Sequence, residues 1–363
     1  MSQRRTVPTA RSIGIVGGGV IGLSLAWQLA QRGWRVSLFD KGEVGGEASW
    51  AAAGMLSPGG EIERSSALAP LATESRALYS KFIKDLEEAS GLAIDYQECG
   101  ALDMAYSQRE WDALKVRAAD QRGIGINSKE ISPEDVSVFW PRVRRGGLAG
   151  ALFFPGDATV NARELTIALA AACRHSGVLL AQNCAVESVE ISEAEAALAT
   201  RCGIEAFAAV VIAAGAWSSS VAVTGVPALP SVEPVKGHLI GYQQPEQTCP
   251  TIVRHGHTYL LQRASGLLIC GSTIEYVGFD RVIDHQVVSA LEEQAAFMLP
   301  HLRETTVSET WIGFRPGSEA LRMGTWHSDR LYLAYGHFRN GILLAPITAA
   351  HITNQISANL RTP

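Results

Sequence analysis

The sequence predicts an α/β protein, with a discontinuous Rossmann-like nucleotide-binding domain carrying a second, α+β substrate-binding domain on a mixed, largely antiparallel sheet. Three observations lead there. A glycine-rich turn follows a short apolar segment near the amino terminus; a second buried-strand segment returns to it far along the chain, at Val210 to Ala213; and the stretches between are richer in Tyr, Trp, Thr and His, with strand-like alternation as in Thr258 to Ile269. The 363 residues, 47% hydrophobic and 18% charged, suffice to bury a substantial core and exclude a disordered chain. A formal net charge of -5 offers no general attraction for nucleic acid or an anionic membrane, so a small molecule is the expected partner.

The first element is a strand from Ser12 to Val16. Arg4 and Arg5 ahead of the apolar stretch Ile13 to Trp27 imitate a secretory signal, but the ordered glycines within that stretch have a better physical account. Gly17, Gly19 and Gly22 have the spacing GxGxxG: the first makes the tight turn, the second admits a pyrophosphate, the third lets helix and strand pack closely. A helix follows to about Arg32, its amino terminus suited to phosphate, and Gly33 ends it. Trp34 to Phe39 forms the next strand, closed by Asp40 about 18 residues beyond Gly22, near the spacing of a ribose-binding carboxylate. Residues 1–11 read as a loose tail.

That unit serves either NAD or FAD. The next segment, GGEASWAAAGMLSP from Gly45 to Pro58, has small side chains that let backbone amides approach a bulky planar ligand, which suits a flavin; the same composition also fits an ordinary small-residue helix. Further on, Asn161 to Ser176 shows a cap-like Asn161, apolar Leu165, Leu169 and Ala172 at helical spacing, and a closing Gly177. A strand pair is expected from Val178 to Ile191, and Val210 to Ala213 ends at Ala214 and Gly215, a second approach to the cofactor. The expected division is 12–92, 149–232 and 309–363 for the cofactor domain, and 93–148 with 233–308 for the substrate domain. Six cysteines, Cys99, Cys173, Cys184, Cys202, Cys249 and Cys270, form no CxxC pair; they read as reduced, mostly buried thiols of a cytoplasmic protein, with no metal site.

The phrase ASWAAAGML, placed after the glycine turn and the acidic strand end, resembles the flavin-contacting segment of the D-amino acid oxidase family, most closely its glycine oxidase branch. GHFRNGILLAPIT, from Gly336 to Thr348, resembles the same branch's final flavin-binding turn and helix. The resemblance implies FAD held by Gly17, Gly19, Val20, Ile21, Gly22, Asp40, Lys41, Ala48, Ser49, Ala52, Ala53, Gly54, Met55, Val186, Ala214, Gly215, Arg339, Asn340, Gly341, Ile342 and Leu343. Relatives that tether flavin use a late cysteine; none follows Cys270, so FAD is expected to be noncovalent.

Arg315, in WIGFRPGS, is the expected carboxylate clamp, because a guanidinium binds a carboxylate through two parallel hydrogen bonds and the GFRP phrase matches the family's carboxylate-binding arginine. The resemblance adds Tyr259 to the same carboxylate, places Ile274 at a pocket-wall position held by methionine in that branch, and gives Arg339 a role in retaining substrate or flavin; His257, two residues before Tyr259 on the same strand face, is expected to line the pocket entrance. Amides of Arg339 to Leu343 at a helix start suit negative charge. The implied reaction oxidises glycine, sarcosine or a small D-amino acid to an imino acid and then a 2-oxo acid, with dioxygen reduced to hydrogen peroxide, and links the product to thiazole formation in thiamine biosynthesis. A homo-oligomer is expected, without stable membrane association. Two alternatives stay open from sequence: a dehydrogenase passing electrons to a quinone or carrier, and a non-catalytic FAD-binding interaction protein.

Overall fold

The computed structural model describes residues 11–61, 68–245 and 251–360. Residues 1–10 of the expected tail, and Cys249, lie outside the described residues. Arg11 is not loose: its carbonyl accepts the Arg35 N–H at 2.9 Å and its guanidinium lies over the Trp34 ring.

The glycine-rich start forms the middle of a six-stranded sheet in the spatial order Arg322–Thr325, Leu331–Tyr335, Ala209–Ile212, Ser12–Val16, Arg35–Phe39, Leu179–Ala181. All neighbours are parallel except the first pair. Both faces are covered, which is why these strands read as near-continuous apolar runs. Side chains alternate across the sheet: Ile13, Ile15, Ala209 and Val211 pack into a core with the helices Val20–Gln31, Ala69–Ser90, Ala162–His175 and Gly341–Asn359. Val210, Ile212, Leu331 and Leu333 face the other way, against a four-stranded sheet containing Val186–Ile191 and Ala196–Thr200. Gly14 lies at that interface because a Cβ there would come within 2.9 Å of both Leu198 and Phe207.

The helix Val20–Gln31 is buried along most of its length, with Leu23, Leu25, Ala26 and Leu29 inaccessible to solvent, as expected for an apolar helix between layers. The expected helix after Asn161 spans Ala162–His175, and the Asn161 side chain caps it by accepting the Arg163 N–H. The expected pairing within Val178 to Ile191 does not form. Leu179–Ala181 joins the parallel sheet beside Arg35–Phe39, whereas Val186–Ile191 pairs with Ala196–Thr200 in the smaller sheet, because the chain turns at Asn183 in the left-handed region (φ 54°).

The second large sheet has eight strands in the order Glu309–Gly317, Glu233–Gln243, Leu267–Gly271, Thr258–Gln262, Ile252–His255, Ala101–Ala105, Gly150–Phe154, Lys129–Ile131. It is antiparallel except where Ile252–His255 meets Ala101–Ala105. Gly150–Phe154 and Glu309–Gly317 therefore belong to this sheet, not to the nucleotide side on which the expected boundaries place them. Their hydrogen-bonding partners are strands distant in sequence, which local pattern cannot reveal.

The turn itself leaves no room for a side chain: a Cβ on Gly22 would lie 1.9 Å from the Gly17 carbonyl oxygen. Gly22→Ala is expected to destabilise the protein by about 1–3 kcal/mol or more through forced backbone movement. Gly156→Ala, at a position with open space, is expected to change little. Urea denaturation midpoints of the two apoproteins check this contrast.

Candidate active site

One cavity of about 350 Å³ runs from the glycine turn, past the Ala48–Met55 segment, to Tyr259, Arg315 and the Arg339–Ile342 turn. At its first end, Gly17 (φ 105°) sits against the Ala213 carbonyl, where a Cβ would approach to 2.4 Å. Gly19 is the N-cap of Val20–Gln31 and supplies no capping side chain. The Val20 N–H donates to Ser49 Oγ at 2.9 Å, while a Cβ on Gly19 would meet only that hydroxyl, at 3.2 Å. A buried helix start with no side-chain cap, opening on a cavity, is suited to a phosphate. Asp40 is held in place by accepting the Gly18 N–H at 2.7 Å and the Gly42 N–H at 2.8 Å. Lys41, Val186, Ala214 and Gly215 also face this end.

Ala48–Ala51 is a short helix, followed by an extended segment in which Gly54 adopts φ 81° and packs on the Val160 carbonyl. Ala48, Ser49, Ala52, Ala53, Gly54 and Met55 all line the cavity, and their small side chains leave the passage wide. The segment is anchored from behind: Trp311 Nε1 donates to the Ala51 carbonyl at 2.9 Å, and the buried Arg263 donates to the Ala53 carbonyl. Burial pushes the Arg263 pKa down to about 10.

At the far end Arg315 extends from the edge strand Glu309–Gly317. Its Nη2 donates to Ser272 Oγ at 2.7 Å and its Nη1 to the Thr273 carbonyl at 3.0 Å. Gly237, on the neighbouring strand, makes room for it, since a Cβ there would lie 2.4 Å from Nη1. Gly271 does the same for Tyr259, whose hydroxyl would be 2.7 Å from such a Cβ. The phenol bonds to the Ser272 hydroxyl; burial raises its pKa against the opposing influence of Arg315 and Arg339, so it remains a neutral donor. Arg339, Asn340, Gly341 and Ile342 line the adjoining wall at the start of Gly341–Asn359.

Four expected residues stand elsewhere. His257 is exposed in the hairpin turn between Ile252–His255 and Thr258–Gln262, because the strand begins only after it. Ile274 is 42% exposed: Thr273 and Glu275 on either side turn inward to bond each other and His238, which points Ile274 outward. Leu343 faces the helical core, its carbonyl accepting Ser75 Oγ, and Gly22 shapes the turn without reaching the cavity.

The structure adds residues that the motifs do not reveal. Trp217 lies under Lys41 Nζ, 3.4 Å from its ring centroid, and stacks on Phe279 at 4.6 Å. Arg281 pairs with Glu47 at 2.6 Å, tying the 272–284 segment to the nucleotide side. His337 is buried and bonded to Thr348 Oγ1 at 3.0 Å, and burial pushes its pKa down to about 3. Trp217 follows Ala214 and Gly215 directly, so its place in a cofactor-facing turn was within reach of the sequence; Gly237 carries no such local signal.

Glycine turn, helix start with glycine at its N-cap, fixed carboxylate and small-residue passage together fit FAD. The family model for FAD dependent oxidoreductases matches residues 12–355. The chain belongs to this family. This FAD-dependent oxidoreductase is 36% identical over 349 residues to the glycine oxidase of Geobacillus kaustophilus, covering 95% of this chain and 92% of that one. The crystal structure of glycine oxidase from Geobacillus kaustophilus superposes with a TM-score of 0.90 at 35% identity, covering 95% of this chain and 94% of that chain. A bifunctional protein ThiO/ThiG of Nostoc sp. is 34% identical over 95% of this chain and 52% of its own length. FAD is the cofactor. Among the described residues no cluster could hold a metal, and no helix is long and apolar enough to cross a membrane.

Asp40→Ala is expected to weaken FAD binding about 10- to 100-fold, the scale of lost hydrogen bonds to a charged group. Fluorescence titration of the apoprotein with FAD measures this. His337 supplies a pH test. Its folded pKa lies below the unfolded value, so the unfolded chain takes up the proton first; stability is full above about 6.5 and declines as pH falls toward 3. A His337→Gln variant is expected to show a shallower acid decline than the parent in denaturation midpoints measured across that range.

Proposed function

We propose that this oxidoreductase oxidises glycine, or a similarly small amine such as sarcosine or a small D-amino acid, with dioxygen as the electron acceptor. The carrying observation is the placement of Arg315 and the neutral Tyr259 phenol together at one end of the cavity whose other end suits the nucleotide. For glycine, dioxygen and water the products are glyoxylate, ammonia and hydrogen peroxide. The names of the relatives support the substrate class, and resemblance to that branch supports a supply of imine to thiazole formation for thiamine.

FAD, when bound, accepts the two electrons of C–N oxidation and passes them to dioxygen. Arg315 supplies N–H donors and a positive charge for the substrate carboxylate, while its bonds to Ser272 Oγ and the Thr273 carbonyl hold the guanidinium in place. Tyr259 donates its hydroxyl proton in a hydrogen bond and keeps it, since burial holds the phenol protonated. Ser272, bonded to both, fixes their spacing, and the packed strands beneath make that geometry rigid. The apolar Phe314, Leu239 and Ala51 around the clamp exclude water and strengthen its electrostatics.

Arg315→Ala is expected to lower substrate affinity about 30-fold or more, corresponding to the roughly 2–5 kcal/mol cost of removing one member of a buried charge pair. FAD content should be unchanged. Tyr259→Phe is expected to cost about 3- to 15-fold, one neutral hydrogen bond. Anaerobic flavin bleaching by a panel of small amines gives the affinities, and a peroxidase-coupled assay gives peroxide. Full glycine-dependent bleaching in Arg315→Ala would overturn the clamp; bleaching by amines without peroxide in air would replace dioxygen by another acceptor.

A further inference from the structure

We propose that Cys184 and Cys202 form a peroxide-responsive dithiol, converted to an intramolecular disulfide beside the Asp40 end of the cavity. The hairpin that carries them brings them together. Val186–Ile191 runs antiparallel to Ala196–Thr200 with Val186 opposite Thr200; Cys184 lies two residues ahead of that pair, and Cys202 sits just beyond it in the turn that closes on Gly203, the next partner of Thr200. The two side chains are in hydrogen-bonding contact, and the Thr200 side chain is shared: it bonds the Cys184 thiol and accepts the Cys202 N–H at 3.1 Å.

Exposure orders the chemistry. Cys202 is exposed and Cys184 is half-buried. Burial raises the Cys184 thiol pKa, leaving Cys202 the better placed to meet a solvent oxidant first. The Cys202 thiol loses its proton to solvent and its sulfur attacks a hydroperoxide oxygen. The O–O bond breaks, hydroxide leaves and takes up a proton, and Cys202 becomes a sulfenic acid. The Cys184 sulfur then attacks that sulfur; the S–O bond breaks, the S–S bond forms, and the departing hydroxyl leaves as water with the Cys184 proton. Two thiols lose two electrons and two protons, and one hydrogen peroxide becomes two waters. The other described thiols lack this arrangement: Cys173 and Cys270 are buried, and Cys99 is raised by burial.

The site adjoins the cofactor cavity. The Cys184 N–H donates to the Asp40 carbonyl at 2.8 Å, and Ala185 and Val186, next in the chain, line the cavity. The inference needs only a hydroperoxide, so reagent hydrogen peroxide tests it independently of the proposed reaction. The holoenzyme, in a Cys249→Ser background, is treated with hydrogen peroxide, alkylated, digested and mapped by mass spectrometry with and without reduction. The expected result is a Cys184–Cys202 linked peptide pair, reversed by dithiothreitol, and at least tenfold more converted than Cys173 or Cys270. In Cys184→Ser, Cys202 should instead be trapped by dimedone as a sulfenic acid. Wild-type protein in which Cys202 passes to sulfinic acid while Cys184 stays alkylatable, or in which both stay alkylatable, overturns the proposal.

Discussion

The approach of Gly22 to the Gly17 carbonyl, closer than any side chain allows, is the constraint on which the rest of this structure depends. It brings Val20–Gln31 down onto Ser12–Val16 and aims the helix start, without a side-chain cap, into the cavity. The same turn fixes Gly18, whose N–H is bonded by Asp40, so the helix start and the Asp40 carboxylate are set by one short piece of backbone. Everything else surrounds this unit: helices on one face of the mostly parallel sheet, a small mixed sheet on the other.

The proposed clamp is built by a different means. Its members come from separate strands of the eight-stranded sheet, and two glycines, Gly237 and Gly271, vacate the space that Arg315 and Tyr259 occupy. The clamp reaches the cofactor passage because the two sheets are joined by close contacts. Gly313 sits over Ala51, where a Cβ would come within 2.6 Å; Trp311 donates to the Ala51 carbonyl; and Arg163 forms a two-bond pair with Glu309 while covering Trp50. A positive clamp beside an apolar wall is held without a flexible linker, as positioning a small substrate requires.

Much of the cofactor site was legible because its determinants are local. Glycines at 17, 19 and 22, an acid at 40 and small residues from 48 to 54 act through backbone geometry within a few residues, and each lies where the motif predicts. His257 and Ile274 show where that logic stops. Each lies close in sequence to a cavity residue, but a turn begins at Gly256 and the side chains of 273–276 alternate inward and outward, so sequence adjacency does not carry into space. The strand pair expected between Val178 and Ile191 failed for a similar reason: each strand had a better partner in a different sheet.

The sequence by itself determined the nucleotide turn, the helix and acid that follow it, and the small-residue passage, since short-range sterics specify these; Arg315 and Tyr259 enter the proposed clamp through side-chain chemistry and family resemblance. Tertiary structure alone decided that Gly150–Phe154 and Glu309–Gly317 join the second sheet, that Gly237 and Gly271 vacate the clamp, and that Trp217, Phe279 and the Arg281–Glu47 pair tie one side to the other. Those outcomes depend on which distant strands hydrogen-bond and which side chains compete for one volume, and no local window of sequence contains both partners.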